Sequence, residues 1–267
     1  MSTMSNLTVT KSNALLDASY QLTARAQKLM LCCVAKLNPK GKPSPEMSIS
    51  ASEYAEILGM DMSDDVYRDL HAAADALFDA YISVKEGDVT KRYRWVQEDA
   101  IKHTGEGTVT LMWSNRILRH LHDLNRDFKT YHIKHIANLD TGHAIRLYEI
   151  LIKFEKTGWR EMSLEDFKVM MGIADKYPVW KDLNRWVITP ALKQLNKSSN
   201  LTVKFIPKKK GRKIVGLRFE FKVDDQMQLD LGDRDKPQKP KNFSVTTDEK
   251  TKSLVERYGN ENRTNPN

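Results

Sequence analysis

The feature that most constrains the fold of this chain is an internal repeat. Residues 49–60 and 162–173 share a hydroxyl residue, an acidic residue and a glycine in the same order, at a constant offset of 113 positions. The same offset relates 67–70 to 180–183, which both read aromatic, basic, Asp, Leu. Because a repeat makes one supersecondary unit occur twice, it fixes the architecture before any single element is assigned.

Both copies predict a helix-turn-helix. Each begins its first helix with a serine N-cap and a carboxylate three residues later, and ends it with a glycine suited to a left-handed C-cap. These residues are Ser50, Glu53 and Gly59 in the first copy and Ser163, Asp166 and Gly172 in the second. Upstream, 26–29 matches 144–147 at an offset of 118, which implies a short insertion or deletion.

Each copy is also predicted to end in strands, which completes a winged helix. In the second copy, 178–196 reads as a helix in which Pro190 should produce a kink. The last strand of that copy alternates apolar and polar residues, so one face packs and the other is solvated. The expected strands are 82–86, 91–97 and 108–113 in the first copy and 201–206 and 214–222 in the second.

The predicted fold is therefore α+β, with two tandem winged-helix domains and a C-terminal tail. The N-terminal domain is expected at 1–129 and the C-terminal domain at 130–223, since 122–130 is polar and charged. Residues 224–267 contain few large apolar side chains, so this tail is expected to be disordered.

Charge separates the two copies. Residues 176–222 contain thirteen Lys and Arg against two acidic residues, a net charge of +11, whereas the whole chain carries +8. Residues 1–130 carry sixteen basic and seventeen acidic residues. A concentrated positive surface on a nearly neutral body is typical of a protein that binds a polyanion such as double-stranded DNA.

The second copy is predicted to read DNA. The helix has an apolar stripe formed by Leu183, Val187, Ala191 and Leu195. Lys181, Asn184 and Arg185 lie opposite this stripe and near the N-terminus of the helix, the end that meets base edges in helix-turn-helix docking. Arginine suits guanine and asparagine suits adenine. The expected phosphate contacts in this copy are Lys176, Lys208, Lys209, Lys210, Arg212 and Lys213. Taken singly, a basic helix face and a lysine-rich turn are ordinary solvated surfaces; their combination favours nucleic acid.

The first copy is a poorer candidate for base reading. Its second helix is rich in aspartate, and carboxylates repel phosphates. It retains one basic cluster, Lys91, Arg92 and Arg94. That cluster is consistent with further phosphate contacts, with a strand edge that pairs with a second subunit, or with an exposed strand whose aromatic residues pack inward. We expect the first copy to dimerise and the second to read DNA.

Signals of catalysis are weak, and we expect no enzyme activity, cofactor or metal. His120 and His122 could bind the metal of a nicking endonuclease if they lay on a strand, but the surrounding apolar spacing is helical. The sequence has neither a P-loop nor a GxGxxG motif. The adjacent Cys32 and Cys33 read as core thiols, and with no apolar run of about 20 residues and no visible secretory signal, a cytoplasmic protein without a membrane partner is expected.

The order of these features resembles the iteron-binding plasmid replication initiators of the RepE, RepA and π type. The resemblance rests on segment 13–23, on the helical 25–29 and on the second reading helix with its Lys-Lys-Lys-Gly-Arg turn, and spans roughly residues 10–222. Arg185 falls where the family places a base-reading arginine.

The resemblance implies a mechanism. Such initiators bind direct repeats at a plasmid origin as monomers, open an adjacent AT-rich region and help to recruit the host initiator and helicase. As dimers they bind an inverted operator repeat and repress their own promoter. The second domain reads bases, while the first contacts the backbone and forms the dimer. Two other functions fit the sequence less well: a winged-helix transcription regulator without a replication role, and a rolling-circle nicking endonuclease.

Overall fold

The computed structural model describes residues 7–37, 44–98, 100–103, 107–121 and 127–224. The elements up to residue 121 are β1 (Thr8–Ser12), α1 (Asn13–Asp17), β2 (Ser19–Tyr20), α2 (Ala24–Lys36), β3 (Glu46–Ser50), α3 (Ala51–Leu58), α4 (Asp64–Phe78), β4 (Tyr81–Glu86), β5 (Val89–Arg94), β6 (Ile101–His103), β7 (Thr108–Met112) and α5 (Asn115–Leu121). The remaining elements are β8 (Phe128–His132), α6 (Lys134–Ala137), α7 (Gly142–Ile152), β9 (Trp159–Ser163), α8 (Leu164–Met170), α9 (Trp180–Leu183), a π turn (Asn184–Ile188), α10 (Thr189–Ser198), β10 (Leu201–Lys210) and β11 (Lys213–Val223). The expectation of a disordered tail concerns residues that lie, from 225 on, outside this description.

The helix caps predicted from the repeat are present in both copies. At the start of α3, Ser50 Oγ accepts from the Glu53 amide at 3.2 Å and the Glu53 carboxylate accepts from the Ser50 amide at 2.9 Å. At the start of α8, Ser163 Oγ accepts from the Asp166 amide at 2.9 Å. Gly59 and Gly172 have φ values of 65° and 69°, the left-handed conformation that a glycine stop requires.

Sheet pairing shows which strands are equivalent in the two copies. β3 pairs with β7 so that Ser50 lies opposite Thr108, and β9 pairs with β11 so that Ser163 lies opposite Gly216. The N-cap serine of each copy is thus beside the last strand of a hairpin, β6–β7 in the first and β10–β11 in the second. We refer to β3, α3, α4 and β6–β7 with α2 as the first unit, and to β9, α8, α9–α10 and β10–β11 with α7 as the second unit.

The three strands predicted for the first copy are divided between two sheets, a pairing that the prediction did not specify. β4 and β5 form a sheet with β2, while β7 pairs with β3 and β6. The end of the predicted segment 91–97 still meets the predicted 108–113, through a bridge between Val96 and Trp113. The β4–β5 hairpin around Gly87 is therefore an addition to the first unit. The hairpin of the first unit that corresponds to β10–β11, the wing of the second unit, is β6–β7. Alternating residues identify strands but do not identify their partners, which is why the sequence could not separate the two hairpins.

The predicted boundary at 129/130 stays a prediction. It falls inside β8, which pairs with β1 from Thr8 opposite His132 to Ser12 opposite Phe128. The N-terminal strand is thereby tied to the chain that leads into α7. Residues 122–126, where the polar linker was expected, lie outside the described part of the chain.

The core is continuous across both units, because their buried apolar side chains form one cluster. α2 lies within it, with Cys32 and Cys33 completely buried. Burial raises the pKa of the Cys33 thiol to about 12 and raises that of Cys32 as well. Both cysteines are therefore packing residues, as predicted.

Candidate nucleic-acid interface

The helix predicted to read DNA consists of α9, the π turn and α10, and it has two contrasting faces. We refer to it as the reading helix. Its inner face is buried, with Leu183, Val187 and Leu195 at most 1% exposed. On the outer face Lys181 and Arg185 are exposed and Asn184 is half-buried. The structure thus places all three predicted base-reading residues on one end of the helix, on the side that the core leaves to solvent.

A π turn lies where a kink was predicted. The amide of Thr189 donates to the carbonyl of Asn184, five residues back, and Pro190 then begins the first turn of α10. Proline has no N–H to donate to Trp186, and a local switch to wider hydrogen bonding lets the helix continue past it. Thr189 Oγ1 also bonds to the side-chain oxygen of Asn184 at 3.4 Å, which orients that amide.

A series of contacting aromatic rings fixes the start of the reading helix to the β10–β11 wing. Trp180 stacks on Phe205 with ring centroids 6.1 Å apart. Phe205 contacts Phe219 at 5.4 Å, and Phe219 contacts Phe167 of α8 at 5.9 Å. Helix, wing and α8 therefore form one rigid support for the exposed residues.

Polar contacts fix the other end of the helix. The side-chain oxygen of Gln194 accepts from the amide of Asp140 at 2.9 Å, just before α7. Asn196 Oδ1 accepts from the Val203 amide at 2.6 Å, and its Nδ2 donates to the Val203 carbonyl at 3.1 Å. These bonds hold α10 against α7 and β10, so the outer face has a defined direction.

The wing carries its cations at the tip. Gly211 turns the chain with a φ of 61°, and a bulge lies between Lys208 and Lys209. The exposed cations of the tip are Lys209, Lys210, Arg212 and Lys213. Lys208 differs from these, because its ammonium lies 3.2 Å from the Glu161 carboxylate of β9 and is only partly exposed. A phosphate contact by Lys208 would have to compete with that carboxylate.

Lys176 occupies a different place from the other predicted phosphate contacts. Its ammonium donates to the side-chain oxygen of Gln21 at 2.7 Å, in the segment between β2 and α2. This bond ties the turn after α8 to the N-terminal segment. Lys176 therefore has a partner within the protein, while its contact with phosphate stays a prediction.

The basic cluster of the first copy, Lys91, Arg92 and Arg94, is divided by the structure. Arg94 donates to the carbonyl of Phe78 at 2.5 Å and stacks on Tyr81 at 4.6 Å, so it fastens the hairpin to the end of α4. Arg92 stacks on the same ring at 4.0 Å, and Lys91 is exposed. All three lie on β5, an edge strand of the β2-β4-β5 sheet. The third interpretation, an exposed strand whose aromatic residues pack inward, agrees with the complete burial of Trp95. The phosphate and strand-pairing hypotheses stay predictions for Lys91 and Arg92.

A buried charged centre at the junction of the units was missed by the sequence analysis. The Glu149 carboxylate of α7 accepts from Lys11 at 2.6 Å, from Tyr20 at 2.5 Å and from Tyr131 at 2.7 Å. Burial by itself would raise the pKa of Glu149, but Lys11 and Arg146 outweigh it and lower the pKa to about 2. The only signal in the sequence was the motif 13–23, whose Tyr20 reaches this carboxylate.

Arg146 connects the same centre to three backbone carbonyls. Its guanidinium donates to Leu16 at 2.7 Å, to Ala18 at 2.6 Å and to Met170 at 3.0 Å. The first two lie in the N-terminal segment and the third ends α8 of the second unit. One buried side chain thus bonds to both the N-terminal segment and the second unit.

Comparison with known proteins identifies the family. Residues 8–152 match the first winged-helix domain of the family described as Initiator Replication protein, and residues 163–221 match the second winged-helix domain, described as Initiator Rep protein. The chain belongs to this family of replication initiators. The first match includes α7, which the repeat assigns to the second unit.

Individual relatives agree with the assignment. The initiator is 31% identical over 236 residues to a replication initiation protein of Escherichia coli, covering 85% of this chain and 73% of the relative. It is 24% identical over 213 residues to an uncharacterized 27.6 kDa protein of the same organism, covering 74% of this chain and 88% of that one. The crystal structure of the Pi initiator protein in complex with iteron DNA matches with a TM-score of 0.70 at 21% identity, over 83% of this chain and 99% of that one. These matches confirm the predicted pair of winged helices.

His120 does not lie on a strand, as a metal site formed with His122 would require. His120 is on a helix, α5, as predicted, and its ring bonds to Ser12 Oγ at 3.2 Å; His122 lies outside the described residues. Within the described ranges, no group of three or more His, Cys, Asp or Glu side chains could hold a metal ion. None of the described helices is long and apolar enough to cross a membrane.

Proposed function

We propose that this initiator starts plasmid replication by binding directly repeated sites, or iterons, in double-stranded DNA at the origin. The observation that carries the proposal is the outer face of the second unit, where Lys181 and Arg185 are exposed beside a wing whose tip is cationic. The solved structure that shares this fold holds iteron DNA. A helix of this kind fits the major groove, with the wing against the adjacent backbone.

The contacts divide by chemistry. Lys181, Asn184 and Arg185 read base edges, because their side chains supply the donors and acceptors that the major groove displays. Lys209, Lys210, Arg212 and Lys213 bind phosphates, which fixes register without specifying sequence. Lys208 contributes less than its neighbours, since the Glu161 carboxylate lies 3.2 Å from its ammonium and competes with a phosphate.

The N-terminal domain, residues 1–129, has a role of its own in this proposal. We infer that two copies pair through this domain and, as a dimer, bind an inverted repeat at the promoter of the gene. The monomer binds iterons and recruits the host initiator and helicase. The position of β5 supports this inference, because among the described strands it lies at the edge of its sheet and is largely exposed, and an edge strand is a place where a strand of another chain can add.

A replication assay tests the main proposal. DNA flanking the gene is placed on a vector that cannot replicate by itself, and the initiator is supplied from a second plasmid. We expect transformants with the wild-type chain and far fewer with Arg185→Ala at equal protein level. Repression of the promoter without any replication would favour a transcription regulator instead.

A nicking assay tests the remaining alternative. Supercoiled origin DNA is incubated with the protein and Mg²⁺ or Mn²⁺, and its topology is followed by electrophoresis. We expect the DNA to stay supercoiled. Strand cleavage that depends on the protein would contradict the proposal that this initiator acts by binding alone.

A further inference from the structure

Trp186 is exposed at a position where the fold does not need it. Its side chain lies in the π turn and is 57% exposed, whereas Trp95 and Trp113 of the first unit are completely buried. The next two residues, Val187 and Ile188, supply the apolar contacts of this turn with the core. A large indole exposed to solvent contributes little to folding. Its role is therefore expected to lie in a contact with bound DNA.

Arg185 and Trp186 form a stacked pair. The Arg185 guanidinium lies 4.7 Å from the centre of the Trp186 ring. Neighbouring residues of a regular α-helix do not face each other, but these two lie in the π turn before Pro190. A planar guanidinium held on an aromatic face loses less conformational freedom when it binds. The stack therefore orients the predicted base-reading arginine before DNA arrives.

The pair offers two different chemistries to the major groove. An arginine donates two parallel hydrogen bonds to O6 and N7 of guanine. The apolar group on a groove edge is the C5-methyl of thymine, and apolar side chains contact it. An indole in contact with a guanidinium can therefore meet a methyl on the base pair next to the guanine.

We propose that Trp186 is a specificity-determining residue that contacts the methyl group of a thymine adjacent to the guanine read by Arg185. The two side chains together select a base step that contains both groups. This proposal rests on the proposed function, because it requires that the outer face of the second unit enters the major groove. It adds a base to the site that charge alone would not predict.

Replacing thymine by uracil tests the contact without changing the protein. The full-length chain is first used to select a duplex from a randomised pool of about 20 base pairs, roughly two helical turns. Each thymine of that duplex is then replaced singly by deoxyuridine, which removes the methyl and keeps base pairing. We expect one replacement to weaken binding about fourfold, which corresponds to ~0.8 kcal/mol for one methyl-sized group.

Two variants show whether Trp186 senses that methyl. With Trp186→Ala, the thymine and uracil duplexes should bind equally; with Trp186→Phe, a difference should remain. Thermal unfolding is compared with wild type, and no loss is expected because the side chain is exposed. Arg185→Ala should reduce discrimination at the neighbouring guanine.

The outcomes separate this proposal from the proposed function. If a duplex is selected but no deoxyuridine replacement changes affinity, the role of Trp186 is wrong while the function stands. The same holds if Trp186→Ala retains the difference between thymine and uracil. If the chain selects no sequence at all, both proposals fall.

Discussion

α4 and the α9–α10 helix occupy equivalent places in two copies of one unit, yet they present different surfaces. Three aspartates of α4 form ion pairs within the first unit: Asp65 with Arg68 at 2.6 Å, Asp69 with Arg25 at 3.1 Å and Asp75 with Lys102 at 2.5 Å. The α9–α10 helix instead directs Lys181 and Arg185 to solvent. The two units therefore share a backbone arrangement but differ in the charge that their outer faces carry.

The largest effect is expected at the centre that joins the units. Glu149→Ala should lower the free energy of unfolding by about 3–5 kcal/mol, because Lys11 and Arg146 would remain buried without their carboxylate. Urea unfolding measures the loss, and Glu165→Ala on the exposed start of α8 is the control, with an effect of about 0.5 kcal/mol or less.

Hydrogen exchange in α2 and α10 shows whether the two units unfold together or separately. We expect the Glu149→Ala variant to lose protection in both helices, since α2 and α10 both pack against α7, the helix that carries Glu149. Loss of protection in one helix alone would mean that the two units unfold independently.

The same carboxylate predicts a pH dependence. The pKa of Glu149 is lowered to about 2 in the folded protein, below the roughly 4.3 of an unfolded chain. Its contribution to stability is therefore present above the unfolded pKa and is lost as the pH falls towards the folded value. Unfolding measured between about pH 6 and pH 3 should show a steeper decline for wild type than for Glu149→Gln.

A matched pair of glycines sharpens the comparison of the units. A Cβ on Gly172 would lie 2.4 Å from the carbonyl of Tyr20, whereas a Cβ on Gly59 meets nothing within 4 Å. Both have positive φ, so alanine costs about 1–2 kcal/mol at either position. We expect Gly172→Ala to cost a further ~1–3 kcal/mol in thermal unfolding, since the backbone must shift. Equal losses would show that β2 yields readily.

Exchanging one cation between the units tests whether charge assigns the roles. Arg185→Ala should cost about 1–3 kcal/mol on the selected duplex and relax discrimination there. By the repeat offset its counterpart in α4 is the exposed Ala72. Ala72→Arg should give no sequence preference, because aspartates surround it. Equal weakening of Arg185→Ala on random DNA would rule out base reading.

The smallest effect is expected at the wing. Lys209→Gln should reduce the slope of log affinity against log salt by about 0.9, the value for one lost phosphate contact. Lys208→Gln should reduce it less, because Glu161 already lies 3.2 Å from that ammonium. Titrations at several salt concentrations measure both slopes, and equal reductions would remove the distinction between the two lysines.

Much of this fold could be predicted because its signals are local. Serine caps, glycine stops and apolar stripes depend on residues a few positions apart, and the structure confirms them at Ser50, Ser163 and Gly172. Partners of strands are not local. The sequence therefore placed the strand at 108–113 correctly but could not show that it pairs with β3 and β6.

The candidate site shows the same limit. The stripe of Leu183, Val187 and Leu195 predicted which face is buried and so which residues point outward. It could not predict the π turn, because a proline in a helix is compatible with a kink, a break or wider hydrogen bonding. Glu149 and Arg146 were missed since charged residues are normally exposed; only their partners, distant in sequence, permit burial.

The two buried thiols of α2 allow the opening of the first unit to be measured separately. Cys32 and Cys33 are the only cysteines of the chain, and both are completely enclosed. A thiol-specific reagent can therefore react only when α2 becomes exposed, and its rate measures how often the first unit opens. Trp180 and Trp186 lie on the reading helix of the second unit, which is proposed to bind DNA. The rate of thiol labelling with and without DNA would therefore show whether DNA binding at the second unit stabilises the first.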